Sequence, residues 1–509
     1  MQFKIKNPEK VVRRATLFTL LFMVAWGIIS VVFQIRPFWI DEWRVIYNLK
    51  FKTSEELWGP LDFMQQFPRV YLQLVKGFTS WFNYNYFSLR LPSFIVGSLT
   101  MLMAWRVMKR IFPDGHFNRF LFVIILISSC TFTDYFVQIK QYTMDLLLSL
   151  VALWQFIELI ELPKAAKINW FGYIILCISF AIVPYFSYIY PIAISPVFIV
   201  IFIQAMLRFK NKSFSSSQAF ISGLIQGFPL IISLLSILWF YKIDVAQLMA
   251  DKGMHQFWGH LMMKDGFSLG SFLNNFFNFF AEEGAGLIFW LIFGILGMSS
   301  FIFGIYYSVK YVVKNINGFH ELIRLYCVLL IVVVTILFLA GKFPMGEPRL
   351  NSFTVPSMAI LMILLLDTLS EVGKLRKVSI AISVILYVGV IGNIYTTFIS
   401  SITGPEYCKK LNIYRATEKA ISEAQGKHLP IYITPDIAYP YDKTLNLPFN
   451  TTVPGDWVLK TFPAFDVNIK TPVINIKTIS EITRPSTIVG GIGTDVMTGD
   501  GLNYNVLKL

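Results

Sequence analysis

The sequence predicts an α-helical polytopic membrane protein of about eleven transmembrane helices, followed by a small α/β domain. Three observations lead there. The 509 residues are 55% hydrophobic and 15% charged, with a mean hydropathy of +0.60, whereas soluble domains carry about 25% charged residues. Apolar runs of about 20 residues recur, each enough to cross a hydrocarbon core of about 30 Å. Beyond residue 404 the composition turns polar, with short strand-like runs.

Spans are expected near 15–35, 90–108, 118–134, 142–160, 169–184, 188–207, 218–241, 286–308, 322–341, 352–370 and 378–399. The first has a basic start and no small-residue cleavage site after it, so it reads as a retained signal-anchor. Lys4, Lys6, Lys10, Arg13 and Arg14 precede it. Lys109-Arg110, Arg208/Lys210/Lys212, Lys310/Lys314 and Lys374/Arg376/Lys377 sit in loops on the same side. Short basic loops mark the cytoplasmic face, which puts the N-terminus inside and the C-terminal domain outside an inner (cell) membrane. The net charge of +14 is thereby accounted for without nucleic acid. No internal repeat of solenoid length is visible. No P-loop or Rossmann glycine pattern occurs either, so nucleotide chemistry lacks support.

The external segments are long. In 36–89, Trp39, Trp43, Ile46 and Tyr47, then Tyr71, Leu74, Val75 and Phe78, follow the apolar spacing of interfacial helices. In 242–285, Phe272, Leu273, Phe276, Phe277 and Phe280 do the same. Such helices form either a vestibule open sideways to membrane lipids or simple loop anchors. The domains are therefore 1–403, membrane-embedded, and 404–509, external. In the latter, Ala416–Ala424 looks helical, while Leu429–Thr434, Thr471–Lys477 and Thr487–Gly491 look like strands. Cys130, Cys177 and Cys327 lie in apolar runs, which excludes a disulfide framework. His255 and His260, five apart, do not form a metal pair, and Asn450-Thr451-Thr452 is a sequon of the kind that arises by chance.

Three places carry candidate chemistry. Asp41-Glu42 follows the first span among tryptophans, at headgroup depth. Neighbours on a helix diverge by about 100°, so the two acids face different tasks; a helix cap is the plain alternative for Asp41. The second place is the turn between the third and fourth spans. If it is helical, Asp134, Gln138, Gln141, Tyr142 and Asp145 share one stripe. A carboxylate at 145 costs a few kcal/mol unless paired or hydrated, which indicates a wet cavity or a helix end near water. The third is the loop Gly341–Arg349. Arg349 opens the tenth span from the external side, suited either to phosphate or to pairing with Glu347.

In these features the chain resembles the GT-C-type glycosyltransferases of the protein mannosyltransferase and aminoarabinose transferase superfamily (glycosyltransferase family 39-like). Asp41-Glu42 matches the family's acidic pair after the first span. Pro68-Arg69-Val70-Tyr71 and Arg90-Leu91-Pro92 match its entry into the second, and Gln138-Ile139-Lys140-Gln141-Tyr142 its motif after the third. Pro344 to Arg349 matches its loop before the tenth. Gln138 stands where the family carries glutamate. Asp134 or Asp145 is then left to supply the charge, the acceptor or metal requirement differs, or activity is lost.

The resemblance implies an inverting glycosyltransferase that moves a sugar from a polyprenyl-phosphate donor to a hydroxyl or phosphate of a lipid, glycan or protein acceptor outside the cell. It implies catalytic Asp41, with Glu42 beside it, and donor-phosphate binding by Arg349 and Lys140. Acceptor or sugar orientation falls to Asp134, Gln138, Tyr142 and Asp145. No metal ligand set is assigned, and the need for a divalent metal stays open. A transporter or lipid flippase, or a non-catalytic assembly subunit, also fits many spans with embedded charge. Transporters usually show repeats and interrupted helices at the midplane, whereas the charges here gather at one interface.

Overall fold

The computed structural model describes residues 8–32, 38, 40–62, 65–82, 84–164, 168–210, 216–246, 262, 268–281, 284, 287–312, 318–403 and five short stretches between 431 and 508. Trp39, the Trp43 side chain, His255, His260, the run Ala416–Ala424 and Asn450 lie outside the described residues. The helices are α1 (Pro8–Val32), α2 (Ile40–Phe51), α3 (Arg69–Trp81), α4 (Tyr86–Ile111), α5 (His116–Ser128), α6 (Cys130–Tyr135), α7 (Tyr142–Glu161) and α8 (Trp170–Ile182). They continue as α9 (Tyr190–Lys210), α10 (Ser216–Phe240), α11 (Leu269–Ala281), α12 (Leu287–Val312), α13 (Phe319–Leu339), α14 (Pro348–Asn351), α15 (Val355–Glu371) and α16 (Arg376–Thr403).

Among the described residues nine helical segments are long and apolar enough to cross a membrane: α1, α4, α7, α9, α10, α12, α13, α14 with α15, and α16. The chain is a multi-pass helical membrane protein. The expected third and fifth spans are shorter apolar helices, His116–Ser128 and Trp170–Phe186. The third breaks at Ser129, whose ψ of 117° is not helical. Its side chain accepts from Phe132 N at 3.1 Å, Thr133 Oγ1 donates to Ile127 O at 2.8 Å, and Asn393 Nδ2 donates to Ser128 O at 2.6 Å. Polar side chains thus satisfy the freed backbone groups, without which a break at membrane depth is costly.

The core is built on α7 and α15. Every residue from Val355 to Leu366 is buried, as expected of a helix apolar all round. α1 and α16 bury one side, with Met23 and Leu386, and turn many apolar side chains outward, Phe18 and Val388 among them, where lipid covers them. Phe136 wedges between α1 and α4 because both are glycine there. A Cβ at Gly27 or Gly97 would meet its ring at 2.6 or 2.7 Å, the small-residue contact that lets membrane helices approach closely.

The external helices form, with a different packing from the expected stripes. α3 buries Tyr71, Leu72 and Val75, while Leu74 is 56% exposed. The buried face is turned because α3 also leans on α2, with Lys76 Nζ donating to Leu49 O at 2.7 Å. On α11, Phe276 and Phe280 pack on Phe301 of α12, and Phe277 on Trp290. Most of that aromatic face is therefore spent on α12, leaving Leu273 exposed.

Strands β1 (Ile431–Ile433), β2 (Lys460–Thr461), β3 (Val473–Thr478), β4 (Ile492–Met497) and β5 (Leu502–Lys508) form one sheet in the order β2-β1-β3-β5-β4. β1 runs parallel to β2 and β3; β5 is antiparallel to β3 and β4. β1 falls within an expected strand run, Leu429–Thr434, and β3 overlaps another, Thr471–Lys477, passing its end by one residue. The third expected run, 487–491, lies outside the described residues.

Candidate functional site

The site starts from the non-helical turn 136–141. The expected continuous stripe from Asp134 to Asp145 does not form: α6 ends at Tyr135 and α7 begins at Tyr142. The reason is a pair of buried charges that hold the turn's backbone open. Glu42 Oε1 accepts from Ile139 N at 3.0 Å, and Arg90 Nη1 donates to Val137 O at 3.0 Å. Glu42 and Arg90 pair at 3.2 Å, both side chains 1% exposed, and the guanidinium lies 4.7 Å over the Phe38 ring. Glu42 is therefore a clamp between α2, α4 and the turn, with no open space before it.

Asp41 points the other way, as the angle between neighbouring helical positions requires. It sits in the first turn of α2 rather than at its cap, where the helix dipole favours a carboxylate. Three cations converge on it. Arg44 Nη1 lies 3.6 Å from Oδ1; Lys140 Nζ and Arg349 Nη1 lie 3.7 and 3.5 Å from Oδ2. Arg349 also reaches Glu347 with Nε at 2.6 Å, the pairing expected as the alternative to phosphate, while its contact with Asp41 was not foreseen. Asn351 fixes this loop by donating to Met345 O at 2.8 Å and Glu347 O at 2.9 Å.

Lys140 is 5% exposed in its side chain and donates to Gln65 Oε1 at 2.8 Å. Burial pushes its ammonium down to about 8, with Asp41 pulling it back up. A lysine so placed changes charge near neutral pH, unlike an exposed one. Tyr142 is buried against Tyr135, ring centroids 4.6 Å apart. Gln138 is 9% exposed, and its Oε1 has no hydrogen-bond partner among the described residues. Asp134 is half-buried on α6. Asp145, a turn into α7, is buried and accepts from Ser187 Oγ at 2.5 Å. The structure thus gathers Asp41, Lys140 and Arg349 into direct contact. It sets Glu42 behind them and gives Asp145 a separate partner.

A second buried constellation was not expected. Asp244, in the π-helical turn Tyr241–Val245 that ends α10, is 2% exposed. It accepts from Arg69 N at 2.9 Å and Tyr188 Oη at 2.7 Å, and pairs with Arg69 Nε at 3.8 Å. Arg69 and Tyr188 both donate to Phe67 O, at 3.2 and 2.9 Å. The effect is to fix the 65–69 segment, which carries the Gln65 that holds Lys140. The signal available in the sequence was a lone acid closing an apolar run.

Among the described residues no three His, Cys, Asp or Glu side chains stand close enough to hold a metal ion. The donor set at Asp41 is cationic around a single carboxylate, which does not fit a metal.

No family model matches the chain, and no curated protein does. Solved structures do. The aminoarabinose transferase ArnT from Cupriavidus metallidurans bound to undecaprenyl phosphate is 11% identical, with a TM-score of 0.50 over 95% of this chain and 97% of that one. The oligosaccharyltransferase of Archaeoglobus fulgidus tethered with an acceptor peptide is 14% identical, at 0.44 over 88% of this chain and 61% of that one. At 11% identity the first likeness shows the fold alone: the chain shares the GT-C fold of ArnT.

Proposed function

We propose that the chain is an inverting glycosyltransferase taking its sugar from a polyprenyl-phosphate donor at the extracytoplasmic face of the cell (inner) membrane. The observation that supports this best is the convergence of Arg44, Lys140 and Arg349 on the Asp41 carboxylate. The bound undecaprenyl phosphate of the fold neighbour is the kind of anion that such cations take. The clustering of Lys and Arg in loops at the opposite end of the bundle supports a cytoplasmic N-terminus and an external site and C-terminal domain.

In this reading the donor phosphate draws Lys140 and Arg349 away from Asp41. The freed carboxylate takes the proton of the acceptor hydroxyl as that oxygen attacks the anomeric carbon. The bond from that carbon to the phosphate oxygen breaks, and the electron pair leaves with the lipid phosphate, which the two cations stabilise. Attack opposite the leaving group inverts the centre. Glu42 holds the turn that presents Lys140 and acts as a positioning residue. The roles of orienting the sugar or the acceptor go to Tyr142, Gln138, Asp134 and Asp145, which reach the site from separate segments rather than along one helical stripe. The acceptor is a lipid, glycan or protein.

The test uses purified protein in proteoliposomes with labelled polyprenyl-phosphate sugars and a mixed pool of lipid, glycan and peptide acceptors. Transfer with inverted anomeric configuration is expected. Movement of the intact lipid across the bilayer without transfer would instead identify a flippase.

A further inference from the structure

The end of the bundle away from Asp41 holds a cavity of about 950 Å³, set between the last turns of α4 and α7 and the first turn of α8. Arg90 and Arg106 mark the two ends of α4, sixteen residues or about 24 Å apart. The cavity is accordingly a separate place from the site above. Its charged wall is Arg106, Lys109 and Arg110 from α4, with Glu158 and Glu161 from α7. Both carboxylates are taken by Arg110: Glu158 at 3.1 Å and Glu161 at close range. Trp154 Nε1 also donates to Glu158 at 3.0 Å. Among the described residues Arg106 and Lys109 make no ion pair, so three cations face two carboxylates and one positive charge is left over.

The other wall is apolar. Leu176 forms a buried part of it, and Ile175 is exposed on the same helix. Ile175 belongs to an outer face of α8 that also shows Trp170, Phe171, Ile174 and Ile178, all exposed. In a bilayer, acyl chains lie against such an apolar face. An anionic group at the charged wall and a hydrocarbon chain along α8 would therefore occupy one continuous site.

We propose that this cavity binds an anionic phospholipid of the leaflet at that end, its phosphodiester held by Arg106 and Lys109 and its chain laid along Ile175 and Leu176. A guanidinium suits phosphate oxygens geometrically, and the ammonium one turn away adds a second donor. Arg110, already committed to Glu158 and Glu161, keeps the wall rigid.

Delipidated protein in detergent, titrated with phosphatidylglycerol and with phosphatidylcholine and read by native mass spectrometry, tests this. Phosphatidylglycerol is expected to bind in preference. The exposed double variant Arg106→Gln/Lys109→Gln should weaken it about twenty-five-fold, each basic residue near a headgroup giving about a fivefold factor. Its melting temperature and phosphatidylcholine binding should not change. Equal binding of the two lipids, or unchanged phosphatidylglycerol affinity in the double variant, overturns the proposal. So does displacement of the lipid by millimolar inorganic phosphate, which would make the site one for a free anion.

Discussion

At the scale of single residues, the site turns on a carboxylate and a lysine that compensate one another. Lys140 is held nearly out of water, and burial brings its ammonium down to about 8. If it binds the donor phosphate, its charge is needed in the free protein. Below that pH the cation is present and kcat/KM for the donor should be flat. Above it the ammonium loses its proton and kcat/KM should fall about tenfold per pH unit. Lys140→Arg, whose guanidinium does not titrate in this range, should keep activity to higher pH. A donor pH profile identical in both proteins would remove Lys140 from the phosphate site. Asp41 and Arg349 stood out in the sequence because an acid among tryptophans and a cation on the external side are unusual at a span mouth, whereas Lys140 entered through the family resemblance. Their mutual distances were not legible, since they depend on how three segments far apart in the chain pack. Asp244 was missed for a related reason. An acid ending a span looks like a solvated helix end until Arg69 and Tyr188 are brought to it from elsewhere.

At the scale of elements, what matters is the turn 136–141, and here the helical spacing in the sequence was misleading. The residues carry no proline or glycine to announce a break. The break is imposed by Glu42 and Arg90, which take up the Ile139 amide and Val137 carbonyl. Removing one partner of a buried pair leaves the other charge uncompensated, at about 3–5 kcal/mol. Glu42→Ala should therefore lower unfolding stability by about that much in detergent, whereas breaking the partly exposed Lys52–Asp62 pair by Lys52→Ala should cost less than about 1 kcal/mol. Equal thermal shifts in the two variants would show that the clamp does not hold the turn. Asp244→Asn belongs to the same scale. It keeps the shape but leaves Arg69 without its carboxylate, and it should loosen the 65–69 segment. Faster amide exchange at Arg69 is the expected reading, and unchanged exchange there would contradict it.

At the scale of the whole molecule, composition and apolar run length were enough to give a multi-pass helical architecture, because the bilayer sets helix length. The places where the reading departed are instructive. The third span is short because Ser129 breaks it, and polar side chains at membrane depth absorb the cost; the fifth, expected over 169–184, runs over Trp170–Phe186. The fate of the aromatic faces on α3 and α11 could not be read from spacing alone, since period 3.6 gives a face but not its partner. What ties the fold to chemistry is that α2, the turn 136–141 and α14 meet at one end of the bundle and bring one carboxylate under several cations.

The most direct measurement is the rate of sugar transfer from a labelled polyprenyl-phosphate donor by Asp41→Asn against the unaltered protein, both reconstituted and matched for melting temperature. A general base of this kind contributes about 10²–10⁴-fold, so the variant should lose at least about a hundredfold in kcat while still binding the donor. Turnover within a few-fold of the unaltered protein would show that residue 41 takes no proton in the reaction, and that its ring of cations serves another end.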